Sequence, residues 1–347
     1  MIDYEKLNQI IKEEISKKSY KQDLENMDII IEFADIILQY TPIMTRTEND
    51  APISFQESWE NAFSFFKTLN KDYAAQLNNI FVTRQEVELI KEKPEEYGKD
   101  KETHKRVAMV TLDGKIKITY QETINDSYAI VHEMTHKLSY GKEKNFFQYL
   151  LIEVPSYVTE ELLTDYFIEN KTYPINLIKE YQIEKYQKFV DEAFDYMCEY
   201  VLIKLYQTHG IINEELLKKF IQKNQNSGFM KLFTTDLEKI LNKIIKENRL
   251  DFYVLERYII GIFLGAILHQ EIIKEERKKE LLFELISQLD LASDKENLQG
   301  LLEQLEIPFI KNNNLYIDVE IAKKLFIAYQ KEIANVNLLQ DKEMIKR

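Results

Sequence analysis

The sequence predicts a mainly α-helical protein with one small sheet, and three observations carry that reading. Glycine and proline are scarce, at 8 and 6 in 347 residues, which disfavours a strand-and-turn architecture and suits long helices. Apolar residues recur at helical spacing over most of the chain. A period-two pattern is convincing in one place only, around an Asp-Gly dipeptide. With 45% apolar and 30% charged residues, and with 21 Tyr and 19 Phe, the composition is that of a chain able to bury a core.

Residues 4–18 and 22–40 form the first two expected helices, the second closed by Thr41-Pro42. An amphipathic run from Ser54 to Phe81 reads as one or two helices, with Ser54 as N-cap and Trp59, Phe63 and Phe66 on one side. The period then changes. VAMVTL (107–112) and KIKITY (115–120) flank Asp113-Gly114, the strongest short hairpin signal, and Lys115 and Lys117 alternate with Ile116 and Ile118. Helical patterns follow at roughly 125–140, 145–169, 184–207, 212–223, 230–247, 251–287 and 317–337. Breaks are expected at Gly141, Pro174, Gly210, Gly228 and Pro308.

Charge excludes some partners. There are 46 basic against 59 acidic residues, a net −13, and that field repels phosphate backbones and anionic bilayers, so neither nucleic acid nor membrane is an expected partner. The most apolar stretch, YIIGIFLGAIL (258–268), is about half the length needed to cross a bilayer. The opening MIDYEKLNQIIKEEISKK carries charges throughout, unlike a signal peptide. A single cysteine, Cys198, cannot pair within the chain, which fits a reducing compartment. The expected location is cytoplasmic.

One motif carries chemistry. In HEMTH (132–136) the two histidines are four apart on a helix, which puts His132 and His136 on one face about 6 Å apart, able to share a metal. Glu133 lies beside them, placed to act as general base on a water held by that metal. Chance gives such a match in roughly one chain per hundred of this composition. Ala129, Ile130, Val131 and Met134 make the rest of the segment apolar, and burying three ionisable groups there is costly without a metal. Zinc needs a third protein ligand. LLIEVPSYVTEELLTDYF (150–167) offers Glu153, Glu160, Glu161 and Asp165; Glu153 and Glu160 share a face with Ser156 and Tyr157, Glu161 and Asp165 share another. Spacing does not choose between Glu153 and Glu161.

HExxH followed by EVPSYVTEELL resembles the zinc oligopeptidases of the thimet oligopeptidase and oligoendopeptidase F group, nearer the latter. The resemblance extends over about 53 to 337, through ISFQESWENAFSFFKTLNKDYAAQLNNIF (53–81), KIKITYQETINDSYAIVHEMTH (115–136) and DFYVLERYIIGIFLGAI (251–267). It implies a zincin-like helical catalytic domain, with Glu153 as third zinc ligand and Glu160 hydrogen-bonding and orienting a ligand. It also implies that a Tyr near FYVY, here Tyr253 or Tyr258, donates to the developing oxyanion. The departures are Thr135 where the family usually has Gly, Ser139 where a third His often follows, Leu255 in place of the second Tyr of FYVY, and no His in IKENRLDFYV. The expected division is 1–52 as N-terminal helices packing on the core and 53–347 as the catalytic domain in one continuous unit. Most members carry a longer N-terminal half, so the cleft here is either more open or closed by the second subunit of a homodimer.

The other candidates read as structural. His104 lies in a charged loop, His209 at a helix C-terminus, and His269 ends an apolar helix as a packing residue. Cys198 is a small buried hydrophobe and KEERKKE (274–280) a solvated helix face. The expectation is a Zn2+-dependent metalloendopeptidase cutting internal bonds of oligopeptides. Its alternatives are a degenerate zinc- and peptide-binding protein without turnover, and a helical interaction protein with an accidental HExxH.

Overall fold

Local chemistry decides where the helices start and stop. In the computed structural model Ser54 caps the helix Phe55–Leu69, its Oγ accepting from the Glu57 N–H at 3.2 Å. The Ser54–Phe81 run is two helices because Asn70 leaves helical geometry (φ −156°) and its side chain accepts from the Asp72 and Tyr73 N–H groups, capping the next helix. Trp59 and Phe66 are buried as expected, whereas Phe63 is half-buried and Phe65 takes the inner position.

The structure describes residues 2–16, 27–40, 52–83, 86–91, 108–110, 114–138, 151–224, 228–275, 277–290, 300, 303–304, 310–311, 314–315, 323–324 and 326–328. Among these the helices are α1 (Tyr4–Ser16), α2 (Met27–Tyr40), α3 (Phe55–Leu69), α4 (Lys71–Thr83), α5 (Ile124–Leu138), α6 (Glu153–Asn170), α7 (Ile175–His209), α8 (Glu214–Asn224), α9 (Gly228–Glu247), α10 (Phe252–Lys274) and α11 (Arg277–Asp290). The strands are β1 (Val87–Lys91), β2 (Ala108–Val110), β3 (Ile116–Tyr120), β4 (Ile310–Lys311) and β5 (Asn314–Leu315). The protein is thus mostly helical with a small sheet. The 251–287 run is two helices rather than one, and Gly228 opens a helix rather than breaking one. Asp113, Ser139, Gly141, His104, Pro308 and most of 317–337 lie outside the described residues. Among the described residues no helix is long and apolar enough to cross a membrane.

The chain divides into two units, each assembled from three segments. One comprises Met1–Thr41, Gln187–Ile259 and Ile310–Lys323. Here α1 packs on α9, and Asn8 ties α1 to the segment after α7 by accepting from Ile212 N–H at 2.7 Å and donating to Ile212 O at 2.8 Å. Gly210, at φ 72°, provides the left-handed turn that ends α7. Cys198 is buried and free, and burial together with Asp195 and Glu199 pushes its thiol up, so it remains an inert apolar residue.

The other unit comprises Pro42–Tyr186, Ile260–Phe309 and Lys324–Arg347, and holds the three-stranded sheet in the order β1-β3-β2. β2 and β3 are antiparallel with Ala108 opposite Ile118 and Val110 opposite Ile116, the expected hairpin, and Gly114 takes φ 77°. The sheet is larger than expected by one strand: β1 pairs parallel to β3, Val87 opposite Ile116. Its VELIK sequence buries only Val87 and leaves the remainder at the edge, so apolar periodicity was too weak to reveal it. Ile116 and Ile118 are buried, and α5 packs against both β2 and β3.

Candidate metal centre

The turn from β3 into α5 is fixed by one side chain. Asp126, fully buried, accepts from the backbone N–H groups of Gln121, Glu122 and Thr123, the shortest at 2.7 Å. The orientation of α5 relative to the sheet follows. Ile130, Val131 and Met134 are buried, and the opposite stripe of α5 runs antiparallel along α6. Tyr128 hydroxyl meets Thr164 Oγ1 at 3.0 Å, and Thr135 Oγ1 meets Thr159 Oγ1 at 2.9 Å while also donating to Val131 O. Thr135 is accommodated between the helices because its hydroxyl is bonded and its neighbour on α6, Thr159, is small.

Two turns of α5 and the first turn of α6 bring three donors together. His132 Nε2 and His136 Nε2 stand 3.0 Å apart, and Glu153 Oε2 lies 3.2 Å from the first and 3.1 Å from the second. Tetrahedral zinc with donors about 2.0–2.1 Å away separates them by roughly 3.3 Å. The triangle is close to one face of that tetrahedron, with nitrogen and carboxylate donors of the kind zinc takes. The side chain of Glu153 is 3% exposed, and those of the histidines 16% and 13%, so the donor triangle is more open to solvent on the histidine side.

The far ring nitrogens are also held from α6. His132 Nδ1 donates to Glu160 Oε1 at 2.6 Å, and His136 Nδ1 lies 3.3 Å from the Ser156 hydroxyl. Residues 153, 156 and 160 fall on one stripe of α6, so a single helix face supplies the carboxylate donor and the partners of both rings. Glu161 faces elsewhere: its Oε1 binds Lys185 Nζ at 2.8 Å. Asp165 binds His269 Nε2 at 2.7 Å, which accounts for that buried histidine as a packing residue with a polar partner. Of the two carboxylates that spacing left open, Glu153 stands with the histidine pair.

Electrostatics reinforces the convergence. Burial opposes charge on His132, but hydrogen bonds to Glu153 and Glu160 outweigh it and hold the imidazolium up to about 10. Burial would raise Glu153, and the two histidines hold it well below the usual carboxylate range. Glu160 is drawn down to about 2 against its burial, by Lys185 and then His132. Such a point attracts a cation, whether proton or metal. Glu133 is buried beside His132.

Tyr253 and Tyr258 lie on α10 in the stretch belonging to the other unit. There the Tyr258 ring has Arg257 at 5.2 Å and Lys188 Nζ at 5.8 Å from its centroid. The Tyr253 side chain lies outside the described features.

Sequence reasoning passed over Lys185, Tyr181, and the packing role of Gly261. Lys185 occupies a buried helical stripe with Ile178 and Phe189, and a lysine within such a stripe is the signal that would have found it. Gly261 lies so close to α6 that an added Cβ would sit 2.5 Å from Glu153 Cβ.

Comparison with known proteins gives a fold relation. The chain is similar to the crystal structure of a candidate peptidase from Chlamydophila abortus, at TM-score 0.53 and 15% identity over 96% of this chain. It spans 55% of that protein's length. No protein-family model and no curated protein matches it.

Proposed function

We propose that this chain is a zinc-dependent peptidase that hydrolyses internal bonds of oligopeptides. The observation that carries the reading is the convergence of His132 Nε2, His136 Nε2 and Glu153 Oε2 at mutual distances of 3.0–3.2 Å, with Glu133 next along the helix. Bound there, zinc would polarise the scissile carbonyl and acidify water. Glu133 takes the proton from the attacking water and returns it to the leaving amine. Glu153 and the two imidazoles hold the metal, while Glu160 and Ser156 orient the rings. The outer strand β2, beside α5, receives the substrate backbone by strand addition. The resemblance assigns the oxyanion donor to Tyr253, with Tyr258 second, and Tyr253→Phe is expected to lower kcat roughly 100-fold with zinc retained.

The fold relation to a candidate peptidase supports the same class of activity. The runner-up, a zinc- and peptide-binding protein without turnover, rests on Leu255 and on the absence of a histidine in 245–254.

The test is to incubate the zinc-loaded protein with a mixed peptide library and identify products by mass spectrometry. Cleavage at internal bonds is expected, reduced about 100- to 10,000-fold in Glu133→Gln with its zinc retained. Equal cleavage by Glu133→Gln contradicts the mechanism, and no cleavage by the wild type favours the binder.

A further inference from the structure

Glu160 has two oxygens with different duties. Oε1 accepts from His132 Nδ1 at 2.6 Å. Oε2 accepts from Lys185 Nζ at 2.7 Å and from the Tyr181 hydroxyl at 2.9 Å. Lys185 also reaches Glu161 Oε1 at 2.8 Å, and Lys185, Glu160 and Glu161 are all buried. Tyr181 and Lys185 are one turn apart on α7, and the Tyr181 ring is stacked at 3.4 Å on Tyr128 of α5. All these residues belong to the unit that carries the histidine pair.

A neutral imidazole can offer one nitrogen to a metal only if the other carries the proton. Glu160 makes that choice for His132 by placing Oε1 at 2.6 Å from Nδ1. Glu160 and Glu161 are neighbours on α6, and their carboxylates would push each other out of place without a cation between them. Lys185 bridges them, with Nζ at 2.7 Å from Glu160 Oε2 and 2.8 Å from Glu161 Oε1. With a dication at the donor triangle, Glu153, Glu160 and Glu161 are balanced by Lys185 and the metal. At His136 the Ser156 hydroxyl lies 3.3 Å from Nδ1, and a hydroxyl can donate or accept and so suits either tautomer.

Resting on the reading of His132 as a zinc ligand, we propose that Lys185 and Tyr181 are positioning residues. They hold Glu160 Oε2 and so keep Oε1 aimed at His132 Nδ1, which leaves Nε2 presented to the metal. Neither touches the metal or the substrate.

The test measures zinc affinity of the full chain by competition with a chromogenic chelator, alongside the visible spectrum of the cobalt-loaded protein and melting of each variant. Lys185→Met is expected to weaken zinc roughly 10- to 100-fold and to shift the cobalt band. Adding Glu161→Gln removes the competing charge, and Lys185→Met/Glu161→Gln is expected to return affinity and spectrum to near wild type, a rescue that lost packing would not show. Tyr181→Phe keeps the stack on Tyr128 and loses one hydrogen bond, and is expected to weaken zinc by roughly 3- to 10-fold. Wild-type affinity in Lys185→Met, or no recovery in the double variant, overturns the inference. Should Lys185→Met fail to melt cooperatively, Tyr181→Phe and the double variant decide it, and wild-type affinity in Tyr181→Phe overturns it. A wild type that holds no zinc removes the metal-site reading itself, a different failure from a zinc-binding wild type with indifferent variants.

Discussion

Glu160 and Glu199 are both buried on helices, 7% and 5% exposed, one in each unit, and their environments push them in opposite directions. Burial raises both. At Glu160 the charges of Lys185 and His132 reverse it and hold the carboxyl down at about 2. At Glu199 one oxygen accepts from the Asp251 N–H at 3.1 Å, too little to compensate. Burial there, helped by Asp251 and Asp195, drives the carboxyl well above its ordinary range. A buried glutamate is therefore drawn toward its charged form where cations outweigh burial, and toward its neutral form where burial and acidic neighbours outweigh the one lysine, as Lys243 is outweighed at Glu199. Only the first kind can steer a histidine toward a metal.

Glu160→Gln attacks the charged side of the comparison with little change of shape. Zinc affinity is expected to fall roughly 10- to 100-fold, read by chelator competition. Gly261→Ala asks whether backbone packing matters as much as charge. The new Cβ meets Glu153 Cβ at 2.5 Å and the Tyr157 ring at 2.9 Å, so α10 must shift from α6. A loss of about 1–3 kcal/mol in stability is expected from denaturant melts, with zinc weakened about tenfold. Ser156→Ala removes a neutral partner of His136, and should weaken zinc by only a few-fold, clearly less than Glu160→Gln. If the two were equal, charge would not be what distinguishes the two ring supports.

Glu199→Gln should leave zinc untouched and alter only pH dependence. A carboxyl raised in the folded state contributes stability that is complete below its unfolded value of about 4.5 and is lost as pH rises toward the folded one. Glu199→Gln removes that loss, so the variant should gain on the wild type in melting temperature between pH 5 and pH 8. A constant difference across that range would contradict the upward shift assigned to Glu199.

Much of this was legible in the sequence, for identifiable reasons. Helix α5 announces itself through HEMTH and an apolar face, and the hairpin through Asp-Gly. Helix α6 is buried on nearly every side, so periodicity could not orient it and could not separate Glu153 from Glu161. What separates them is Lys185, twenty-four positions beyond Glu161 on another helix, and tertiary pairing of that kind leaves no local pattern. Strand β1 escaped notice because an edge strand with one buried residue lacks the alternation that marks β3. The break at Asn70 depends on side-chain capping, which composition does not reveal.

The most direct test of the central claim is elemental analysis of protein freed of chelator, for the wild type, His132→Ala, Glu153→Ala and Glu161→Ala. One zinc per chain is expected in the wild type and in Glu161→Ala, and far less than one in His132→Ala and Glu153→Ala. A wild type holding far less than one equivalent, or zinc kept by Glu153→Ala and lost by Glu161→Ala, would contradict the account.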